Sequence, residues 1–278
     1  MPRWAVFAGV TAVVLGLLLA LARVSQLSMS DGADATQRDS PDGRFGDGYT
    51  VESNSEPPLI EDEPAADTDS TPEPSASQPA SLSTGVLLAN VALSQGLFLF
   101  LLVGSAWYAR IPPVALGVTA VTESGLSALV IGVSLGIALY LVNELGTLGA
   151  NAVGIETPDE LRASLAPDST AGWLVLLGLV LPTIAVFEEF LFRAALVGAF
   201  SMGFSLSPWL LALFSSVAFA LGHGAQGTIG MVATGGLGFV LAGAFVLTGS
   251  LLVVVVAHYL VNALEFAVHE GFGSELAG

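Results

Sequence analysis

Cysteine and lysine are both missing from this chain of 278 residues. Without cysteine there is no disulfide framework and no thiol nucleophile. Without lysine, all seven basic residues are arginines, set against 24 acids; the formal charge of −17 argues against a nucleic-acid partner, which must be held through its phosphates. Charge of either sign is scarce. Asp, Glu, Lys and Arg make up 11% of the chain, where a soluble domain carries about 25%.

The scarcity is concentrated in blocks. Trp4 to Ala22, Gly85 to Ala109, Ser124 to Asn143, Ala171 to Phe187 and Ala194 to Leu264 contain no charged residue. A bilayer core is crossed by about 20 such residues in a helix, so these blocks, the last one divided at its turn residues, supply about seven spans. The predicted fold is all-α: a polytopic membrane helical bundle with a disordered acidic segment after the first helix. Its expected location is the cell membrane, as a multi-pass protein with the lipid bilayer as a partner.

Three regions follow from composition. Residues 1–27, with Arg3, an apolar run and Arg23, read as an N-terminal membrane anchor; a cleaved signal peptide is the alternative, disfavoured by the long run and the lack of a small-x-small site after it. Residues 28–84 hold thirteen acids and two arginines among Ser, Thr, Pro and Ala. Such a segment buries too little apolar surface to offset its ordering entropy and is expected to be a disordered acidic linker, a solvated tether or a partner-binding tail.

Residues 85–278 are then the working domain. Trp107-Tyr108-Ala109-Arg110 suits the bilayer interface at the end of a second helix. Pro112-Pro113 breaks the chain before a third helix, Ser124 to Glu144. A polar loop with a short helix near Pro158 to Leu165 leads to a fourth, Ala171 to Phe200. Ser207-Pro208 reads as a cap followed by proline in the first turn of a fifth helix, ending near Gly222. A sixth runs to about Leu247, with Gly230, Thr234, Gly238 and Ala242 as a stripe for close helix approach. A seventh covers Leu251 to Val268.

Against this background the stretch Phe187-Glu188-Glu189-Phe-Leu-Phe-Arg193 stands out. A charge at mid-bilayer costs roughly 2.5–3.5 kcal/mol, so it is kept where it is paired, faces a watery cavity, or works. Glu189 and Arg193 are four apart, acid first, the favourable order for a helical ion pair. Glu188 is left over, pointing about 100° away around the helix, a carboxylate available as general base. Two histidines lie in later membrane blocks: His223, four residues after Phe219 and flanked by Gly222 and Gly224, which leave space around the imidazole, and His258, on one face with Asn262. Each alone could be an interhelical hydrogen bond. A shared cavity explains all of them together. His269, beside Glu270, is expected to be exposed and without a role.

Glu188-Glu189-x-x-x-Arg193, Phe219-x-x-x-His223 and His258-x-x-x-Asn262, in that order on separate helices, resemble the CAAX-protease and bacteriocin-processing (CPBP, or Abi) family of intramembrane endopeptidases. The resemblance covers residues 171–268, the motif-bearing core. It implies peptide-bond hydrolysis of a membrane-associated protein or peptide substrate, CAAX-type or related. Carried over by residue, Glu188 would activate the attacking water with His223 assisting. His258 and Asn262 would stabilise the tetrahedral oxyanion, a donor role worth roughly 3–4 kcal/mol per group, and Arg193 would hold Glu189 as support. No cofactor is required by this scheme. Zinc is the alternative, with Glu188, His223 and His258 as ligands, although the helical His-Glu-x-x-His pattern of zincins is lacking. The rival from another class is a non-catalytic transporter or scaffold with a structural polar network; no inverted repeat supports it.

Overall fold

The structure, a computed structural model, describes residues 1–38, 83–118, 121–154 and 160–272, and among these there is no strand. Eight helices carry the described chain: α1 (Trp4–Arg38), α2 (Thr84–Tyr108), α3 (Val121–Ala152), the short α4 (Glu160–Leu165), α5 (Thr170–Phe204), α6 (Pro208–Gly222), α7 (Gly227–Thr248) and α8 (Leu251–Phe266), which runs on as a π-helix over Ala267–Phe272. Six segments among the described residues are long and apolar enough to cross a membrane, and α6 is a shorter apolar helix of 15 residues. The chain is a multi-pass membrane protein, and the expected seven spans are six full ones and this shorter one.

Three helices differ in extent from the sequence reading. α1 continues to Arg38, into the segment expected to lack order; residues 39–82 of that segment lie outside the described residues. α3 runs through Ala152 rather than stopping near Glu144. Gly146 and Gly149 cost only about 1 kcal/mol each in a helix interior, and polar contacts of Asn143 and Glu144 with the end of α8 hold this turn in place. α5 is continuous for 35 residues, winding as a π-helix over Leu176–Val180 and again over Phe190–Ala199. The first wide turn precedes Pro182, which has no N–H to donate and whose ring excludes the carbonyl a turn before it. Tyr259 Oη donates to the Leu177 carbonyl at 3.1 Å and Thr183 Oγ1 to that of Leu179 at 2.7 Å, so side chains satisfy carbonyls of the loosened backbone.

Apolar clusters pin α5 at the centre. One joins Phe7, Val14 and Leu15 of α1 and Leu102 and Ala106 of α2 to Phe187, Leu191 and Phe192 of α5 and Phe219 of α6. Another joins Leu139 of α3 and Val197 of α5 to Leu241 of α7 and Val254, Ala257 and Val261 of α8. Lipid is as apolar as these side chains, so close packing rather than hydrophobicity holds the helices together. A close approach is made by α3, whose Gly132 and Gly136 meet the backbone and first side-chain atoms of Val253, Val256, Ala257 and Leu260 at distances only a glycine allows. This contact fixes the turn of α8 that bears His258.

Candidate active site

Glu188 and Glu189 sit on α5 where its regular winding gives way to the second π-helical stretch, a feature often found at functional sites. Glu189 and Arg193 are completely buried, His258 is 3% exposed and Glu188 7%. Charges so placed persist only with close partners. Arg193 Nη1 donates to Glu189 Oε1 at 2.7 Å, and Nη2 to the Gly238 carbonyl of α7 at 2.8 Å. The guanidinium also lies 4.8 Å from the centre of the Phe219 ring, a cation–π arrangement. The expected pair therefore forms, and the small residue at 238 in the predicted stripe serves it. A side chain there would collide with Phe219 and crowd Arg193.

His258 is the residue that joins the two glutamates. Its Nδ1 lies 2.7 Å from Glu189 Oε1, the same oxygen that accepts from Arg193. Its Nε2 lies 3.7 Å from Glu188 Oε2. A carboxylate accepts, so Nδ1 carries the proton and Nε2 is left facing Glu188. Glu188 Oε2 is itself buried and has no hydrogen-bond partner among the described residues. A buried acceptor of that kind is costly unless water or a substrate group supplies the hydrogen.

His223 stands apart from this knot. It closes the end of α6, and its Nδ1 lies 2.8 Å from the Phe219 carbonyl, so Nδ1 donates and Nε2 is free to act as a base. It forms no hydrogen bond or ion pair with Glu188, Glu189 or His258. The link is Phe219. Its ring lies 4.5 Å from the His223 ring, 6.0 Å edge-on from His258 and 4.9 Å edge-on from Phe192. Asn262, half-buried one turn beyond His258, has no hydrogen bond to any of the four.

The fold thus brings Glu188, Glu189, Arg193 and His258 together, sets His223 against Phe219, and leaves Asn262 adjacent. Two expectations need adjustment. The turn of about 100° between Glu188 and Glu189 does not give them wholly separate neighbours, because His258 contacts both. Glu188, His223 and His258 do not form a converging donor set either: among the described residues the donor atoms that gather within 4.8 Å of one another are those of Glu144, Glu265 and His269. As these residues are placed, the zinc-ligand alternative does not fit them.

The metal-like grouping that does occur lies elsewhere. Donor atoms of Glu144, Glu265 and His269 come within 4.8 Å of one another at the end of the bundle. His269 Nε2 is 2.7 Å from Glu144, and Arg162 of α4 bridges Glu265 and Glu270 at 3.1 and 2.9 Å. His269 is half-buried in this ion-pair network rather than exposed. Sequence reasoning missed it because its members, spread from 143 to 270, stand at helix ends where polar residues are expected anyway. Phe219 was visible only as the first letter of a motif; nothing in its spacing marked it as the ring shared by both histidines and Arg193.

Fold and site define a polytopic helical membrane protein with a buried carboxylate–imidazole–guanidinium centre. Residues 170–264, from α5 to the last turn of α8, match the model of the family described as Type II CAAX prenyl endopeptidase Rce1-like, about a third of the chain. That segment carries a domain of this protease family, in agreement with the resemblance read from the motifs, and supports a peptidase as the enzyme class. All three motifs lie inside it. No curated protein and no solved structure is matched.

Proposed function

We propose that the protein is an intramembrane endopeptidase in which Glu188 activates the attacking water. The substrate is a membrane-associated protein or peptide, and the name of the matched family makes a prenylated, CAAX-type carboxy terminus the first class to try. The observation that carries the reading is the unpartnered Glu188 Oε2, buried 3.7 Å from an imidazole nitrogen whose ring is locked by Glu189.

In this scheme Glu188 Oε2 takes one proton from water as the water oxygen bonds to the scissile carbonyl carbon. The carbon–nitrogen bond then breaks and the departing amine receives that proton. Glu189 orients the His258 ring and stabilises its imidazolium form, in the way a buried aspartate serves a catalytic histidine. Protonated His258 donates through Nε2 to the developing oxyanion, and Asn262, one turn along α8, adds a carboxamide donor. His223 assists proton transfer through its free Nε2. Arg193 neutralises Glu189 and ties α5 to α7.

The test is cleavage of a prenylated peptide and of unprenylated membrane peptides in liposomes, with Glu188→Gln beside the parent and thermal unfolding in detergent as control. A folded Glu188→Gln protein with activity reduced at least about a thousandfold supports the reading. A folded variant that cleaves like the parent overturns it.

A further inference from the structure

α1 lies outside the matched segment and carries none of the three motifs, yet it packs onto the loop that bears His223. Phe7, Thr11 and Val14 of α1 are buried at 1%, 0% and 2% exposure, in contact with the cluster that contains Phe187, Phe192 and Phe219. One turn beyond Val14, Leu18 lies where a side chain at Gly222 would touch it. Two turns beyond that, the Gln26 carboxamide lies so close to Gly224 that a methyl group at 224 would overlap it. Arg23 Nη1 donates to Gln26 Oε1 at 3.2 Å, which turns Gln26 Nε2 toward Gly224. The space beside the two glycines that flank His223 is not open. Leu18 and Gln26 of α1 occupy it.

The loop needs such support. At His223 the chain leaves the helix, with φ −103° and ψ 21°, and it has glycine on both sides. A glycine-flanked helix end loses much conformational entropy when fixed and does not hold a ring by itself. On its far side the loop is tied to α7: the Gln226 amide donates to the His223 carbonyl at 3.0 Å, and Thr234 Oγ1 donates to Gln226 Oε1 at 2.7 Å. On the near side the packing comes from Leu18 and Gln26.

We infer that α1 is a component of the catalytic unit, with Leu18 and Gln26 as positioning residues that press the Gly222–Gly224 loop into place and so hold the His223 imidazole against Phe219. The inference rests on the reading of His223 as an acid–base group. It also moves the boundary of the working domain: residues 1–27 belong with residues 85–278 rather than forming a separable anchor.

The experiment uses the full chain in liposomes and measures kcat, KM and the pH profile of cleavage for Gln26→Ala, Gln26→Met, Leu18→Ala, Gly224→Ala and the pair Gln26→Ala/Gly224→Ala. A small misplacement of a catalytic group costs rate rather than affinity, so Gln26→Ala and Gly224→Ala are each expected to lower kcat about tenfold with KM within about twofold. The shape of the pH profile should change with them, because His223 samples other orientations. Gln26→Met, which keeps the volume, restores most of kcat. The double variant recovers as well, since the methyl at 224 then occupies the space the carboxamide left, and that non-additivity is the signature of direct contact. If Gln26→Ala fails to fold, Gln26→Met and Gly224→Ala carry the same comparison. Additive losses, or variants with parental kcat and pH profile while Glu188→Gln is inactive, overturn the positioning role and leave the peptidase reading standing. An active Glu188→Gln protein overturns the peptidase reading first.

Discussion

His258 turns its Nδ1 onto Glu189 at 2.7 Å and thereby leaves its Nε2 3.7 Å from Glu188. One imidazole, fixed on a helix that α3 clamps through Gly132 and Gly136, connects a carboxylate already neutralised by Arg193 with one whose Oε2 has no hydrogen-bond partner among the described residues. The two adjacent glutamates are distinguished by what surrounds them rather than by their own chemistry.

That arrangement separates stability from activity. Glu189→Gln and Arg193→Met each strand a fully buried charge and should cost about 3–5 kcal/mol, read by unfolding in detergent. Replacing both, as Glu189→Leu with Arg193→Met, removes the pair and its desolvation penalty together, so part of the stability should return, short of the parent because the His258 Nδ1–H and the Gly238 carbonyl lose their partners. Activity should not return, because His258 has lost the carboxylate that orients its ring and stabilises its imidazolium form; in a comparable triad the loss of that carboxylate is about 10⁴-fold. Recovery of both together would show that Glu189 has no part in the chemistry.

Phe219 is the shared wall of the site. Its ring is 1% exposed and touches Phe192, His223, His258 and the Arg193 guanidinium. Phe219→Ala opens a cavity in the core and should cost about 3–5 kcal/mol. Phe219→Leu removes less volume and should unfold closer to the parent, yet it frees the face on which the His223 ring rests. A folded Phe219→Leu protein with kcat lowered at least about tenfold is the expected outcome. Parental kcat would mean that the ring is packing only.

The donor geometry bears on metals. Because Glu188, His223 and His258 do not converge, cleavage should survive prolonged chelation, and elemental analysis of the active protein should find no zinc that depends on Glu188. The grouping of Glu144, Glu265 and His269 offers a control: metal bound there should disappear in His269→Ala and not in Glu188→Gln. Stoichiometric zinc that is lost in Glu188→Gln and restores activity to the chelated parent would overturn the proposed mechanism.

Much of the architecture was legible because a membrane makes local demands. An uncharged run of bilayer length must be a helix, since no other open structure satisfies its backbone in lipid. α6 begins where Ser207-Pro208 predicts, with Ser207 Oγ accepting from the Leu210 amide at 3.4 Å. The Glu189–Arg193 pair follows from one helical turn, and the change of winding after Glu189 leaves it intact. Its cation–π contact and its bond to Gly238 do not follow from a turn, because they join residues on different helices.

The sequence by itself determined that this is a helical membrane protein, that acids, a base and two histidines lie in its spans, and which family those residues resemble. Tertiary structure decided which glutamate holds His258, that Phe219 packs against both histidines, that His269 joins Glu144, and that α1 packs against the glycines on either side of His223. The physical reason is the same in each case. A soluble helix announces its inner face by an apolar stripe, whereas a helix apolar on every side gives no sign of which face meets protein and which meets lipid. In the bilayer that choice rests on the fit of small residues against neighbours and on polar pairing across helices. For α1, Phe7, Leu18 and Gln26 take on their meaning only where Phe219, Gly222 and Gly224 come to meet them.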